Sequence, residues 1–186
     1  KNKDLWLISD EIYEHIIFDR ESHLSILNLA PELKNRTIII NGVSKSHAMT
    51  GWRIGFGAGP TKLVERMKKI QSQTTSNPCA ISQWASVAAL EKSKNFVQKS
   101  KKVFKRRRDL ILQELNMGES LSFIKPSGAF YVMLNIKKLI GLRHIGGEII
   151  GSDISFAELL LKEKGIAVVP GSAFGIANFV RISFAT

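Results

Sequence analysis

With 186 residues and 44% of them apolar, the chain can build one domain or two small ones around an ordinary packed core. No apolar run is long enough for a membrane helix, no opening segment reads as a signal peptide, and the single cysteine, Cys79, excludes an internal disulfide and fits a reducing compartment such as the cytoplasm. The net charge of +11 raises nucleic acid as a partner, but its densest run, eight Lys or Arg between Lys94 and Arg108, shares a helical pattern with apolar residues and reads as a solvated face.

In chain order, residues 5–9 form a short buried strand that ends beside Asp10-Glu11-Ile12-Tyr13. Residues 14–34 are mixed and polar, a short helix or an irregular loop. Residues 37–43, rich in isoleucine and closed by Gly42 and Val43, form a second buried strand that delivers Ser44 and Lys45. Residues 54–58 make a third, short strand. Pro60 suits a helix start, and Leu63, Val64, Met67 and Ile70 carry helical spacing over 61–74. Ser76-Asn77-Pro78 breaks that helix, Cys79 reads as a small buried hydrophobe, and 81–90 form another helix. A long basic helix spans 94–115. Phe96, Val103 and Leu110 recur every seven residues, as do Val97, Phe104 and Ile111 beside them.

After Gly118 the texture changes. Residues 121–124 and 128–134 read as strands around a Pro126-Ser127-Gly128 turn. Residues 140–152 are glycine-rich and loop-like, and 155–164 form a helix with Ser155 as its cap. Two further strands cover 166–169 and 179–184. A boundary inside the long helix divides the chain into residues 1–98 and 99–186. The chain opens almost directly on a strand and closes two residues after another, as a piece of a larger fold would.

Candidate chemistry gathers at strand ends. Open α/β sheets bind ligands beyond the carboxyl ends of their strands, where Asp10 and Lys45 both stand. Lys45 is a candidate nucleophile and Asp10 a candidate partner for a ring nitrogen. Tyr13, three residues past Asp10, can offer its hydroxyl to the same ligand. Ser44 and Arg53, the latter between Gly51 and Gly55, suit a phosphate. Arg181 stands alone in an apolar strand, and a buried arginine needs a partner, best met by a bidentate carboxylate. His15 and His47 neighbour these motifs and read as structural. No metal ligands are assigned.

Asp10-Glu11-Ile12-Tyr13-Glu14, Ser44-Lys45 through Gly51-Trp52-Arg53-Ile54-Gly55, Pro126-Ser127-Gly128-Ala129-Phe130-Tyr131 and Val180-Arg181-Ile182-Ser183 together resemble the class I aminotransferases, fold-type I pyridoxal-phosphate enzymes, with the bacterial aspartate aminotransferase subgroup nearest. The resemblance covers residues 5–186 and looks like the carboxyl-terminal half. It implies an α/β class, a three-layer α/β/α transferase fold present in part, followed by a small α+β domain. It implies pyridoxal 5'-phosphate held as a Schiff base on Lys45, with Asp10 on the pyridine nitrogen, Tyr13 on the ring oxygen, and Arg53 with Ser44 on the phosphate. Arg181 takes the role of clamp for the substrate carboxylate. Ser76-Asn77-Pro78 matches a loop near a homodimer interface. The implied partners are a small amino acid, aspartate foremost, and a 2-oxo acid such as 2-oxoglutarate. The fragment alone is expected to be inactive. A C–S β-lyase on the same fold, or a transcription regulator with an aminotransferase-like effector domain, stays open as an alternative.

Overall fold

A computed structural model, which describes residues 5–19, 22–116 and 121–186, sorts the strands into two separate sheets. The chain divides into two compact units, residues 1–102 and 103–186.

In the first unit β1 (Leu7–Asp10) pairs parallel with β2 (Thr37–Gly42), from Leu7 opposite Thr37 to Asp10 opposite Ile40. β2 pairs antiparallel with β3 (Gly55–Ala58), so β2 is central. Parallel pairing requires a crossover, here built from the short α1 (Ile26–Leu29) and a 3-10 turn over Pro31–Arg36. Gly42 faces Gly55 across the ladder. A β-carbon on Gly42 would stand 3.0 Å from the Ile54 carbonyl and 3.1 Å from Gly55 Cα, so a side chain there would push the strands apart. β1 corrects the expectation of a buried strand. Leu5 and Trp6 precede it, and both they and Ile8 are exposed, because β1 is an edge strand here with a partner on one side only.

α2 (Thr61–Thr74), α3 (Ala80–Lys92) and α4 (Lys94–Leu115) follow. Cys79 is exposed, not buried, because it occupies the position that caps α3 directly after Pro78. The amides of Ser82 and Ile81 and the Ser82 side chain hold its thiol below the usual range. The apolar stripe of α4 is narrower than its sequence suggests. Val97 and Leu112 are buried, whereas Phe96, Val103 and Leu110 face outward. Positions 97, 104, 108 and 112 fall on one face at helical spacing, and this face takes in a residue of the basic run. Arg108 is fully buried, which corrects its placement on a solvated face. Its Nη1 donates to the Pro126 carbonyl at 3.0 Å, and its Nε and Nη2 donate to Asp109 Oδ1 at 2.9 and 2.7 Å.

The second unit carries an antiparallel sheet in the order β4 (Ser122–Phe123), β5 (Tyr131–Asn135), β7 (Phe179–Ser183), β6 (Val169–Pro170). The residue-by-residue alternation of β5 buries Val132 and Leu134 on one face. Leu134, Ile136 and Val180 form its core, with Phe123, Leu139, Phe156 and Ile182 packed around them. β6 is shorter than the strand expected over 166–169 and shifted: it keeps only Val169, adds Pro170, and ends where Gly171 opens a 3-10 turn. α5 (Asp153–Lys164) is capped by Ser152, not Ser155. The two serines form a reciprocal box: Ser155 N–H donates to Ser152 Oγ at 3.2 Å, and Ser152 N–H donates to Ser155 Oγ at 3.0 Å. The helix ends on Gly165, whose φ of 65° is left-handed. In the glycine-rich loop, Arg143 bridges Ile149, with Gly141 and Gly147 at positive φ.

Candidate functional site

Five of the six candidate residues stand in the first unit. Because β1 and β2 run parallel, their carboxyl ends share one edge of the sheet. Asp10 is the last residue of β1, and its Oδ1 accepts the Ile12 N–H at 3.2 Å. The chain then turns, with Glu14 N–H donating to the Glu11 carbonyl at 2.9 Å, and Tyr13 rides on that turn. β2 ends at Gly42 and the chain coils at once: His47 N–H donates to the Val43 carbonyl and Ala48 N–H to the Lys45 carbonyl. This coil brings Lys45 back over the first turn, with Nζ 5.9 Å from the centroid of the Tyr13 ring. Ser44 precedes Lys45 on the coil and is half-buried. Arg53 follows a short 3-10 turn, Thr50–Trp52, in the left-handed conformation at φ 55°. A non-glycine residue held there is uncommon and marks a turn set by its surroundings. The Arg53 Nη1 donates to the Thr50 carbonyl at 2.9 Å, which folds the exposed guanidinium onto its own turn.

Arg181 is built by different elements, in the second unit. It lies on β7 opposite Met133 of β5 and Val169 of β6, on the face away from the buried Val180. The sequence suggests a buried arginine that holds a carboxylate; Arg181 is half-buried, and two aromatic rings lie near its guanidinium. Its guanidinium carbon lies 4.3 Å from the Tyr131 ring centroid and 4.4 Å from that of Phe174. Tyr131 is the diagonal neighbour across the β5–β7 pair. Phe174 is delivered by the 3-10 turn Gly171–Phe174. That turn is pinned by Asp153 at the start of α5, whose Oδ2 accepts the Ser172 N–H at 2.6 Å. Burial pushes the Asp153 carboxyl up, but hydrogen bonds from the Ser172 backbone and side chain hold it below its ordinary value. A ring over a guanidinium engages its face and does not use the N–H groups that lie in its plane.

Two groups beside these residues were not singled out by sequence. Glu11 is buried at 6% exposure and accepts hydrogen bonds from Ser9, His23 and Ser25. Burial alone would raise its pKa; the bonds from His23, Ser25 and Ser9, and the charge of His23, hold it lower. Glu11, Glu14 and His23 place three donor atoms within 4.8 Å of one another. A charged residue inside an apolar-looking strand end was the signal available for Glu11, since a carboxylate goes inside only with partners. The second group is Ser46, buried, whose Oγ meets His47 Nδ1 at 2.7 Å. Burial, and then the neighbouring His15, push the His47 imidazole below its ordinary pKa, so it is neutral near pH 7.

The model of the family described as "Aminotransferase class I and II" matches residues 1–186. The chain is 45% identical to the aspartate/prephenate aminotransferase of Cereibacter sphaeroides over its whole length, which is 46% of that relative. The crystal structure of the aspartate aminotransferase from Rhizobium meliloti superposes with a TM-score of 0.92 at 46% identity, over 97% of this chain and 45% of that one. The aspartate aminotransferase from Thermus thermophilus with maleate gives 0.86 at 38% identity, over 98% of this chain and 44% of that one. The chain therefore spans about half the length of the relatives it matches. With the family model covering every residue and the fold of both units matching solved aspartate aminotransferases, this chain belongs to the class I and II aminotransferases.

Proposed function

We propose that the protein containing this chain is a pyridoxal-phosphate-dependent aminotransferase that moves an amino group between aspartate and 2-oxoglutarate. The observation that carries the reading is the edge shared by Asp10, Tyr13 and Lys45, with the Lys45 amine 5.9 Å from the centre of the Tyr13 ring. The donor set fits the cofactor: an amine for its aldehyde, a carboxylate for its ring nitrogen and a phenol for its ring oxygen. Ser44 and Arg53, on coils next to the close Gly42–Gly55 approach, supply a hydroxyl and a guanidinium for its phosphate. When bound, that cofactor supplies an electron sink for the bond broken at the substrate α-carbon.

The chain's own residues do the rest. Asp10 keeps the ring nitrogen protonated, and Tyr13 donates to the ring oxygen. Lys45 Nζ would hold the cofactor's aldehyde and, as a free amine, would act as general base and then acid, carrying the proton from the substrate α-carbon to the cofactor carbon on the other side of the amino nitrogen. Arg181 holds the substrate carboxylate through its guanidinium N–H groups and fixes the orientation of the bond to be broken. In this reading residues 1–98 complete the cofactor domain and residues 99–186 form the small domain. Two relatives support the dicarboxylate choice: one is named for aspartate and prephenate, the other was solved with maleate, a dicarboxylate of aspartate's length.

The test is an assay of the full-length protein with aspartate and 2-oxoglutarate. Stoichiometric glutamate formation is the expected result. Release of pyruvate and ammonia from a cysteine conjugate, with no amino transfer, would replace the reading with a β-lyase.

A further inference from the structure

Glu11 sits between the two residues that meet the proposed cofactor. Strand alternation turns it the opposite way from Asp10, so Asp10 is exposed at the sheet edge while Glu11 is buried beneath it. Three side chains converge on its carboxylate. Ser9 and Ser25 donate to Oε1 at 2.9 and 2.7 Å, and His23 Nε2 meets Oε2 at 3.0 Å. The donors come from both flanks of the turn, Ser9 from β1 and His23 and Ser25 from the segment leading into α1. Its backbone is engaged too: the Glu11 N–H donates to the Ile40 carbonyl of β2 at 2.9 Å, one step past the end of β1. At the far side of the turn, Glu14 Oε1 accepts from Asn41 Nδ2 at 2.6 Å. The turn bearing Tyr13 is thus fastened at both ends to the strand that leads to Lys45.

Resting on the reading that Asp10, Tyr13 and Lys45 hold the cofactor, we propose that Glu11 is a positioning residue whose buried carboxylate sets the turn that presents Asp10 and Tyr13 to the cofactor. It touches neither cofactor nor substrate. A carboxylate with three partners locks one geometry, whereas a neutral amide in its place keeps the volume but cannot accept the same three bonds with the same strength. Displacing Tyr13 alters its bond to the ring oxygen, and displacing Asp10 alters the ring nitrogen's protonation. Both effects change how the bound cofactor absorbs visible light as pH varies.

The experiment uses the full-length enzyme with Glu11→Gln and, since that variant could fail to fold, Ser25→Ala, which removes one donor only. The readouts are the pH midpoint of the visible absorbance of bound pyridoxal phosphate, its dissociation constant, and kcat separately from KM. The expected result for Glu11→Gln is a moved pH midpoint and a kcat lower by about 10- to 100-fold, the scale of an ångström-level misplacement, with KM nearly unchanged. Ser25→Ala should move the same quantities the same way by less. A variant that melts earlier but keeps the wild-type midpoint, cofactor affinity and kcat overturns the positioning role and leaves the cofactor assignment standing. Wild-type enzyme with no visible cofactor band overturns both.

Discussion

At the residue scale, the role proposed for Arg181 as a carboxylate clamp asks for more than charge. The Tyr131 and Phe174 ring centroids lie 4.3 and 4.4 Å from its guanidinium carbon, contacts that a planar guanidinium makes over a wider area than an ammonium can. Arg181→Lys in the full-length enzyme should therefore raise KM for aspartate by about one to two decades, the worth of a charge-assisted bond to a carboxylate. Steady-state kinetics with aspartate and with an amine lacking the α-carboxylate check this: the amine should show almost no change. Phe174→Ala should move KM in the same direction by less, since it removes one of the two rings that lie near the guanidinium. Asp10→Ala should retain pyridoxal phosphate but slow proton transfer, because an unprotonated ring nitrogen is a poor electron sink; near-normal kcat in that variant would refute its role. Arg181 itself was legible in the sequence as a lone cation in an apolar strand. Its aromatic partners were not, because Tyr131 is distant in sequence and meets it through strand register, and the nearby Phe174 meets it only through the 3-10 turn that carries it.

At the element scale, local patterns carried far and failed where a distant group decides. The spacing of Leu63, Val64, Met67 and Ile70 gave the extent of α2, and the basic helix is bounded as its pattern implies. The inward face of α4 was misread at Arg108, because its bond to the Pro126 carbonyl spans 18 positions and leaves no periodic trace. The cap of α5 was displaced by one turn because Ser152 and Ser155 are both capable, and reciprocity assigns each a separate role. Ser152→Ala should cost about 1 kcal/mol of stability, read from a lowered melting temperature of the full-length protein. Gly171→Ala should cost more, since its new carbon would stand 2.3 Å from the Ile176 carbonyl and 2.8 Å from Phe179, backbone included. Asp153 gives a pH signature. Its folded carboxyl titrates below the unfolded one, so its contribution is present above about pH 4 and lost as pH falls through the folded value. The melting-temperature gap between wild type and Asp153→Asn should be full at neutral pH and close in acid.

At the scale of the whole molecule, fold class and family were readable because four short motifs keep their order along 186 residues and each marks a backbone event: a strand end, a coil, a turn or a paired strand. Burial was less readable. Leu5, Trp6 and Ile8 look like core residues and are exposed, since burial depends on which neighbours a strand has and not on its own composition. The +11 charge follows the same lesson, as one of its cations, Arg108, is structural. The central claim is that Lys45 carries the cofactor, and borohydride reduction of the full-length protein followed by peptide mapping tests it most directly. The account predicts a pyridoxyl group on the peptide containing Lys45, and its loss in Lys45→Ala. A pyridoxyl group on any other lysine, or none at all, would contradict it.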